Sequence, residues 1–206
     1  MPKISEEHRE ARREQILDAA RACILEHGLE AVSMETIIAR SGLSTGAVYR
    51  YFKGKDDVIA ASVVEATNEI GAAMAPILID ERPDSPSELV EMLLAAWVSY
   101  SGGGVGAATD VDRMPVAIHG WSYAQNNPQI KAIVEASLRR FRDLCVPVVK
   151  RWQSEGVVAG DVDPDAMAQL LLSICLGFVA QRSLSGGADV GAHATAIASL
   201  SASTRI

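Results

Sequence analysis

The sequence predicts an all-α protein, and three observations support this fold class. Apolar residues recur at helical spacing along the whole chain. Almost no stretch alternates apolar and polar residues between turn signals, as a half-buried strand would. The chain has 206 residues, of which 49% are hydrophobic, so it can bury one large core or two smaller ones.

Three helices are predicted in the first quarter of the chain, over residues 6–27, 34–41 and 45–51. The first has a regularly spaced apolar face, and Gly28 is a natural stop for it. Ser33 and Ser44 are suited to cap the second and third helices, because a serine hydroxyl accepts hydrogen bonds from the free N–H groups of a first turn. Gly42 ends the second helix.

Six further helices are predicted, over residues 55–75, 87–101, 110–124, 128–155, 164–185 and 190–202. Pro76 should end the first of these, because proline disfavours helical conformation in the residue before it. Pro128 and Pro164 suit first-turn positions, where a missing N–H costs nothing. Pro147 should kink the helix that contains it.

The stretch 79–86 contains two prolines and four charges and is the best boundary between modules. We therefore predict one domain over residues 1–55, continuing into the linking helix 55–75, and a second over 76–206. Residues 1–55 carry nine Lys/Arg and eight Asp/Glu, whereas residues 56–206 carry ten and eighteen. The acidity of the chain, net −7, thus belongs to the second part, and the first part can approach a polyanion.

Several classes of protein are excluded by composition and spacing. No segment offers about 20 uninterrupted apolar residues, so no membrane span is expected. The N-terminus lacks the apolar stretch of a secretory signal, which predicts a cytoplasmic protein. Three widely spaced cysteines in apolar sequence favour reduced core thiols over disulfides or zinc. Four scattered histidines and the lack of a nucleophile beside a base predict neither a metal, nor a cofactor, nor an enzyme.

The most informative stretch is residues 33–55, in which two short helices flank the sequence SGLS at helix-turn-helix spacing. The outer face of the second helix combines small, aromatic and basic residues, namely Thr45, Gly46, Tyr49 and Arg50. Glycine costs about 0.8–1 kcal/mol relative to alanine in a helix, and close approach to DNA would explain Gly46. Arg50 can read guanine or bind phosphate, and Lys55 adds a charge beside free N–H groups.

This segment resembles the DNA-binding region of the TetR family of transcriptional regulators. The residues that match in order are Gly42, Leu43, Ser44, Gly46, Val48, Tyr49, Tyr51, Phe52 and Lys55. Ile38 and Ser41 depart from the pattern, which has alanine there. The resemblance implies a homodimer with three-helix DNA-binding heads and a C-terminal helical domain for ligand binding and dimerisation. The predicted DNA-binding residues are Ser33, Ser44, Thr45, Gly46, Tyr49, Arg50 and Lys55. The alternative is that the two short helices form an ordinary helical hairpin with no role in DNA binding.

The helix predicted over residues 164–185 indicates self-association. It carries a broad apolar face, and it resembles the penultimate helix of TetR-like proteins, which packs against its copy in a dimer. A dimer would also present two heads one DNA turn apart to a pseudo-palindrome. The predicted interface residues are Leu170, Ile174, Gly177, Phe178 and Gln181. The alternative is a helix buried within one subunit.

Apolar residues of the C-terminal part are candidates for a pocket that binds a small hydrophobic effector. They are Met92, Trp97, Met114, His119, Trp121, Tyr123, Phe141, Cys145 and Phe178. His119 would supply a hydrogen-bonding group on an otherwise apolar helix. Each of these residues can instead belong to an ordinary core.

These observations predict a dimeric, ligand-responsive transcriptional regulator, and repression is the favoured mode. The dimer would bind a double-stranded DNA operator, and the effector would change the separation of the two heads through helix 55–75. Two alternatives stay open. One is a transcriptional activator, and the other is a soluble helical small-molecule-binding protein whose helix-turn-helix is only structural.

Overall fold

The computed structural model describes residues 6–101, 114–185 and 188–202. Within these ranges the regular elements are nine α-helices and no strands, which confirms the predicted fold class. The helices are α1 (Glu6–Ala31), α2 (Met34–Ser41), α3 (Thr45–Val48), α4 (Lys55–Ile79), α5 (Pro86–Ser101), α6 (Met114–Ala124), α7 (Pro128–Ser154), α8 (Pro164–Ser185) and α9 (Val190–Ala202).

The predicted helix limits are close to the observed ones. Helices α2, α8 and α9 have the predicted bounds, whereas residues 110–113 of the predicted sixth helix lie outside the described ranges. Helix α1 extends beyond Gly28, but Gly28 itself has φ 74° and ψ 162°, so the regular helix is interrupted there. The third helix is shorter than predicted, and turns that follow Val48 complete the segment to Tyr51.

The prediction that Pro76 ends its helix is wrong. Helix α4 continues to Ile79, and the N–H of Asp80 donates to the carbonyl oxygen of Pro76 at 2.8 Å. An interior proline removes one helical hydrogen bond and crowds the preceding turn. The two residues after it, Ile77 and Leu78, are each only 6% exposed, and their burial offsets that cost.

The chain divides into two compact units that are not simple halves of the sequence. Unit 1 comprises residues 1–66 with 115–134, and unit 2 comprises residues 67–114 with 135–206, so far as these are described. The division therefore differs from a boundary at residue 76. It falls within α4, and it groups α6 and the start of α7 with the N-terminal helices.

Unit 1 is built around one apolar core. Side chains from α1 to α3 and the turn after α3 fill it, and those that are at most 4% exposed include Ile16, Ile24, Ile37, Val48 and Phe52. Val58 and Ile59 of α4 are fully buried in the same core. Ala124 and Ile130 also belong to it, so the end of α6 and the start of α7 close the core of this unit.

In unit 2, α5 packs against α8 and α9. The ring of Phe178 on α8 meets His193 on α9 edge-on, with the ring centroids 5.2 Å apart. Trp152 of α7 is fully buried, and its indole N–H donates to the carbonyl oxygen of Pro83 at 2.8 Å. This bond fixes the connection between α4 and α5 to the end of α7.

Helices α4 and α8 are long and apolar enough, by length and composition alone, to cross a membrane. Core helices of soluble proteins pass the same test, and each of these two helices contributes fully or almost fully buried side chains to a unit, such as Ile59 and Leu171. The length and composition of α4 and α8 therefore fit core helices as well as membrane-spanning ones. The three cysteines are buried and unpaired, as predicted.

Candidate nucleic-acid interface

Reciprocal capping sets the start of α2. The N–H of Thr36 donates to the hydroxyl of Ser33 at 3.2 Å, and the N–H of Ser33 donates to the hydroxyl of Thr36 at 3.0 Å. These bonds satisfy free N–H groups that the helix itself cannot. Ser33 is half-buried, and the structure therefore gives its side chain a local capping role.

Gly42 makes the turn between α2 and α3. It has φ 67° and ψ 11°, a left-handed conformation that favours glycine, and no atom lies within 4 Å of the position of an added Cβ. The backbone angle, not crowding, accounts for glycine here. The preceding Ser41 is buried, and its hydroxyl donates to Ile38 O and accepts from the N–H of Leu43. This departure from the TetR pattern therefore stabilises the turn.

Helix α2 is also fastened to α1. The amide of Gln15 donates to Ser41 O at 2.7 Å, next to the turn. The guanidinium of Arg40 pairs with the carboxylate of Glu26, and this hydrogen bond lowers the pKa of Glu26. Both contacts fix the orientation of α2, the helix that precedes the recognition segment, residues 44–52.

Helix α3 is capped by Ser44, whose hydroxyl accepts from the N–H of Ala47 at 3.3 Å. Val48 is fully buried, whereas Thr45, Tyr49 and Arg50 are exposed. The exposed fraction of Tyr49 is 49%, which is large for an aromatic side chain. The core therefore holds one face of the segment and leaves the small, aromatic and basic face open to solvent.

Gly46 lies on the exposed face of α3. An added Cβ there would meet no atom within 4 Å, and no left-handed backbone angle requires glycine at this position. The packing of the chain thus gives no reason for a residue that is unfavourable in helices. Glycine at this site keeps the backbone open to close approach by another molecule.

The first turn of α4 follows directly on the recognition segment. Lys55 is its first residue and is half-buried, and Lys53 is exposed. The N–H of Lys53 donates to the carboxylate of Asp57 at 3.0 Å, which ties the connecting turn to the helix. Backbone N–H groups at such a helix start favour anions.

Arginines of α1 are largely engaged within unit 1. Arg13 and Arg21 both pair with the carboxylate of Glu65 on α4, and Arg21 also pairs with Glu14. The guanidinium of Arg13 lies 6.0 Å from the centre of the Phe52 ring. This arrangement favours structural ion pairs over phosphate contacts for Arg13, while Arg9 is exposed.

Models of two known protein families match this chain. The model for bacterial regulatory proteins of the tetR family matches residues 16–62, from α1 into α4. A model of the C-terminal region of BetI-type transcriptional repressors matches residues 106–203. The chain belongs to the TetR family. It is therefore a helix-turn-helix transcriptional regulator whose C-terminal part is of the repressor type, in a family of DNA-binding regulators rather than enzymes.

Individual relatives of this TetR-family chain include two named regulators. The transcriptional repressor Rv1474c of Mycobacterium tuberculosis is 40% identical over 72 residues, which cover 35% of this chain and 38% of that protein. The regulator BetI of Burkholderia lata is 28% identical over 164 residues, which cover 78% of this chain and 80% of that protein.

Solved structures of the TetR fold are similar over almost the whole chain. The SmeT–triclosan complex has a TM-score of 0.73 and 24% identity, covering 94% of this chain and 90% of that one; SmeT is a repressor of an efflux pump of Stenotrophomonas maltophilia. A transcriptional regulator of Saccharomonospora viridis in complex with choline has a TM-score of 0.73 and 19% identity, covering 93% of this chain and 95% of that one. These similarities support the TetR fold.

The predicted interface residues of α8 differ in their burial. Leu170 and Gln181 are exposed, and Ile174 and Gly177 are half-buried. Phe178 is fully buried within one chain, so it presents no surface to a partner and belongs to the core instead. The sequence pattern missed Leu184, which is 83% exposed and continues the Leu170 side of the helix.

The predicted pocket residues are divided between the two units. Met92, Trp97, Phe141, Cys145 and Phe178 belong to unit 2, whereas Trp121 and Tyr123 belong to unit 1. Met114 and His119 are on α6, and their side chains lie outside the description. Trp97, Cys145 and Phe178 are buried, and the rest of the described set is half-buried. Among the described residues, no group of three or more His, Cys, Asp and Glu could hold a metal ion.

Proposed function

We propose that this regulator binds a pseudo-palindromic DNA operator as a homodimer and represses transcription until a small hydrophobic effector releases it. The observation that carries the proposal is the outer face of α3. There Gly46 leaves the backbone open, with Tyr49 and Arg50 exposed beside it. This face suits a major groove, and its position before the first turn of α4 suits a phosphate.

Within this proposal the residues have separate roles. Thr45, Gly46 and Arg50 approach base edges and backbone, and Tyr49 and Lys55 bind phosphate. Ser44 approaches DNA while it caps α3. Ser33 contributes by setting the start of α2 rather than by an exposed contact. A cytoplasmic location follows from access to the operator.

The dimer is proposed to form through the outward side of α8. Its exposed and half-buried residues include Leu170, Ile174, Gly177 and Leu184 at helical spacing. An apolar stripe of this kind on a helix usually finds a partner surface. The glycine allows the backbones of two such helices to approach closely.

The effector is proposed to bind among the apolar side chains of unit 2. Trp97, Phe141 and Phe178 lie in this unit, and aromatic side chains suit apolar or cationic small molecules. The structural relatives in complex with triclosan and with choline provide one probe of each kind. Both compounds are reasonable first tests because they differ in charge.

The proposal is tested by selecting bound fragments from randomised double-stranded DNA with the full chain. We expect a pseudo-palindrome with half-sites separated by about one helical turn, roughly 34–36 Å. Replacing Arg50 with Ala should relax the base preference at one position in each half-site, whereas Tyr49→Phe should weaken all sequences alike. Enrichment of no sequence at all would contradict the proposal.

Release is measured on the selected operator by adding triclosan or choline to the complex. An effector that favours the unbound conformation should lower the affinity for DNA by about 5- to 150-fold. The control is the same compound with the same operator and an unrelated DNA-binding protein. Ligand binding to the chain without any change in operator affinity would contradict the effector part of the proposal.

A further inference from the structure

The hydroxyl of Tyr123 forms a hydrogen bond far from its place in the sequence. Tyr123 stands near the end of α6, and its hydroxyl donates to the carboxylate of Asp56 in the first turn of α4, 67 positions away. Both residues belong to unit 1, and the Tyr123 side chain packs against the core of that unit. Sequence patterns suggested a pocket role for this tyrosine, and this contact gives it a different one.

Asn127 follows α6 and caps α7, because its side-chain carbonyl oxygen accepts from the N–H of Ile130 at 3.1 Å. The tyrosine bond therefore joins the end of α6, just before this cap, to the start of α4. The bond with Asp56 raises the pKa of Tyr123 to about 12.

Helix α6 also meets α4 one turn earlier. Gly120 is buried, and an added Cβ there would lie 3.7 Å from Cγ2 of Val63. The two helices meet at two points, Gly120 with Val63 and Tyr123 with Asp56. Gly120 precedes Tyr123 along α6, whereas Val63 follows Asp56 along α4. The two helices thus run in opposite directions at this contact, and the tyrosine bond restrains the end of α4 that follows the recognition segment.

We propose that Tyr123 is a positioning residue for DNA binding, whose hydroxyl holds the first turn of α4 in the orientation that meets a phosphate. The inference rests on the proposed function, because Lys55 and the N–H groups of this turn are its proposed phosphate contacts. Without the bond the turn samples other orientations, and ordering it costs affinity when DNA binds. Tyr123 itself touches no DNA.

The test compares operator affinities of full-length variants at one salt concentration. Tyr123→Phe removes only the hydroxyl oxygen, and we expect it to weaken binding about tenfold, in the range of a hydrogen bond to a charged group. The matched control is Tyr100→Phe in unit 2, where the hydroxyl donates to Glu69 at 2.9 Å. That variant loses the same kind of bond and should keep its operator affinity within about twofold.

Variants of Asp56 separate the bond from the charge. Asp56→Asn and Asp56→Ala both remove a negative charge near the phosphate, but only asparagine keeps an oxygen that accepts from Tyr123. We expect Asp56→Ala to bind several-fold more weakly than Asp56→Asn. In the Asp56→Ala background, Tyr123→Phe should then have less than about a twofold further effect, because the bond is already absent.

The same variants distinguish positioning from general stability. The slope of affinity against salt should be unchanged in Tyr123→Phe, because no phosphate contact is lost, while thermal unfolding should shift no more than in Tyr100→Phe. An alkaline absorbance titration should lack one late-ionising tyrosine in Tyr123→Phe. Equal affinities for wild type and Tyr123→Phe, or equal effects of Tyr123→Phe in both backgrounds, would overturn the inference. A wild-type chain that binds no operator would instead contradict the proposed function.

Discussion

Gly46 is the residue at which the demands of folding and of the proposed DNA contact separate most clearly. Alanine at this position has room for its Cβ and is a better helix former. We expect Gly46→Ala to stabilise the chain by about 0.3–1 kcal/mol, measured by thermal or chemical unfolding. The added methyl group would stand between the backbone and DNA, so we expect operator affinity to fall by about tenfold or more.

The control for this variant is Gly71→Ala in the interior of α4. An added Cβ at Gly71 also meets no atom within 4 Å, so the substitution should stabilise the chain for the same reason. It should leave operator affinity unchanged, because Gly71 lies in unit 2 and not in the recognition segment. Equal operator affinities for Gly46→Ala and Gly71→Ala would contradict the role of Gly46.

The buried thiols predict a particular dependence of stability on pH. Burial raises the pKa of Cys145 and of Cys175 to about 12, above the ordinary value near 8.5. Because the folded state resists ionisation, stability should be fully present below about pH 8 and should fall as the pH rises toward 12. Unfolding in denaturant at pH 8 and pH 10 measures this fall. A Cys145→Ala, Cys175→Ala double variant should show a smaller difference between the two values.

At the scale of elements, the connection between α4 and α5 depends on the end of α7. The carbonyl oxygen of Pro83 accepts from the indole N–H of Trp152 and from the guanidinium of Arg151. Trp152→Phe removes the buried donor and leaves space, so we expect a loss of about 2–4 kcal/mol in the free energy of unfolding. Glu155→Gln, which alters an exposed pair with Arg151, should change it by less than about 1 kcal/mol. Similar losses in both variants would contradict this account.

Another prediction at this scale concerns α8, through which the homodimer is proposed to form. Leu170 is 53% exposed in the single chain, so burying its remaining surface in a dimer would contribute roughly half of the about 1.5–3 kcal/mol that full burial of a leucine gives. Leu170→Glu should therefore shift the proposed dimer toward monomers, measured by sedimentation or light scattering. Ile79→Glu is the control, because Ile79 is 60% exposed but lies at the end of α4. A chain that stays dimeric with Leu170→Glu would place the interface elsewhere.

The same helix shows what sequence patterns can and cannot predict. The bounds of α8 follow from Pro164 and the apolar periodicity, and they were predicted correctly. Its residues are apolar on several sides, so periodicity does not reveal which side is covered within the chain. Spacing groups Phe178 with the interface residues, yet it packs against His193 in the core. Leu184 stands alone among polar neighbours, so periodicity does not indicate it.

Local capping and turn residues predict the structure around the recognition segment better than apolar periodicity does. Serine caps and a left-handed glycine act within a few residues, so the limits of α2 and the turn at Gly42 were predictable. Local chemistry does not predict that α4 continues past Pro76, because burial of the residues that follow the proline is a tertiary effect. The bond between Tyr123 and Asp56 joins distant parts of the chain, and no single-sequence pattern indicates it.

At the scale of the whole molecule, charge and compact units follow different divisions of the chain. Residues 56–206 carry a net charge of −8 and residues 1–55 carry +1, so the acidity of the chain does not oppose the proposed DNA binding by the recognition segment. The compact unit that contains this segment nevertheless includes residues 115–134. A fragment that ends near residue 80 would lack Ala124 and Ile130 from its core, so DNA-binding measurements require the full chain.

The central claim is that the full chain binds a specific operator through a few phosphate contacts around α3 and the start of α4. Fluorescence anisotropy of the selected operator, measured at salt concentrations between about 50 and 200 mM, tests it most directly. We predict that affinity falls steeply with salt, and that Lys55→Ala weakens binding to all sequences and reduces the salt slope. Binding that is independent of salt and unaffected by Lys55→Ala and Tyr49→Phe would contradict the account.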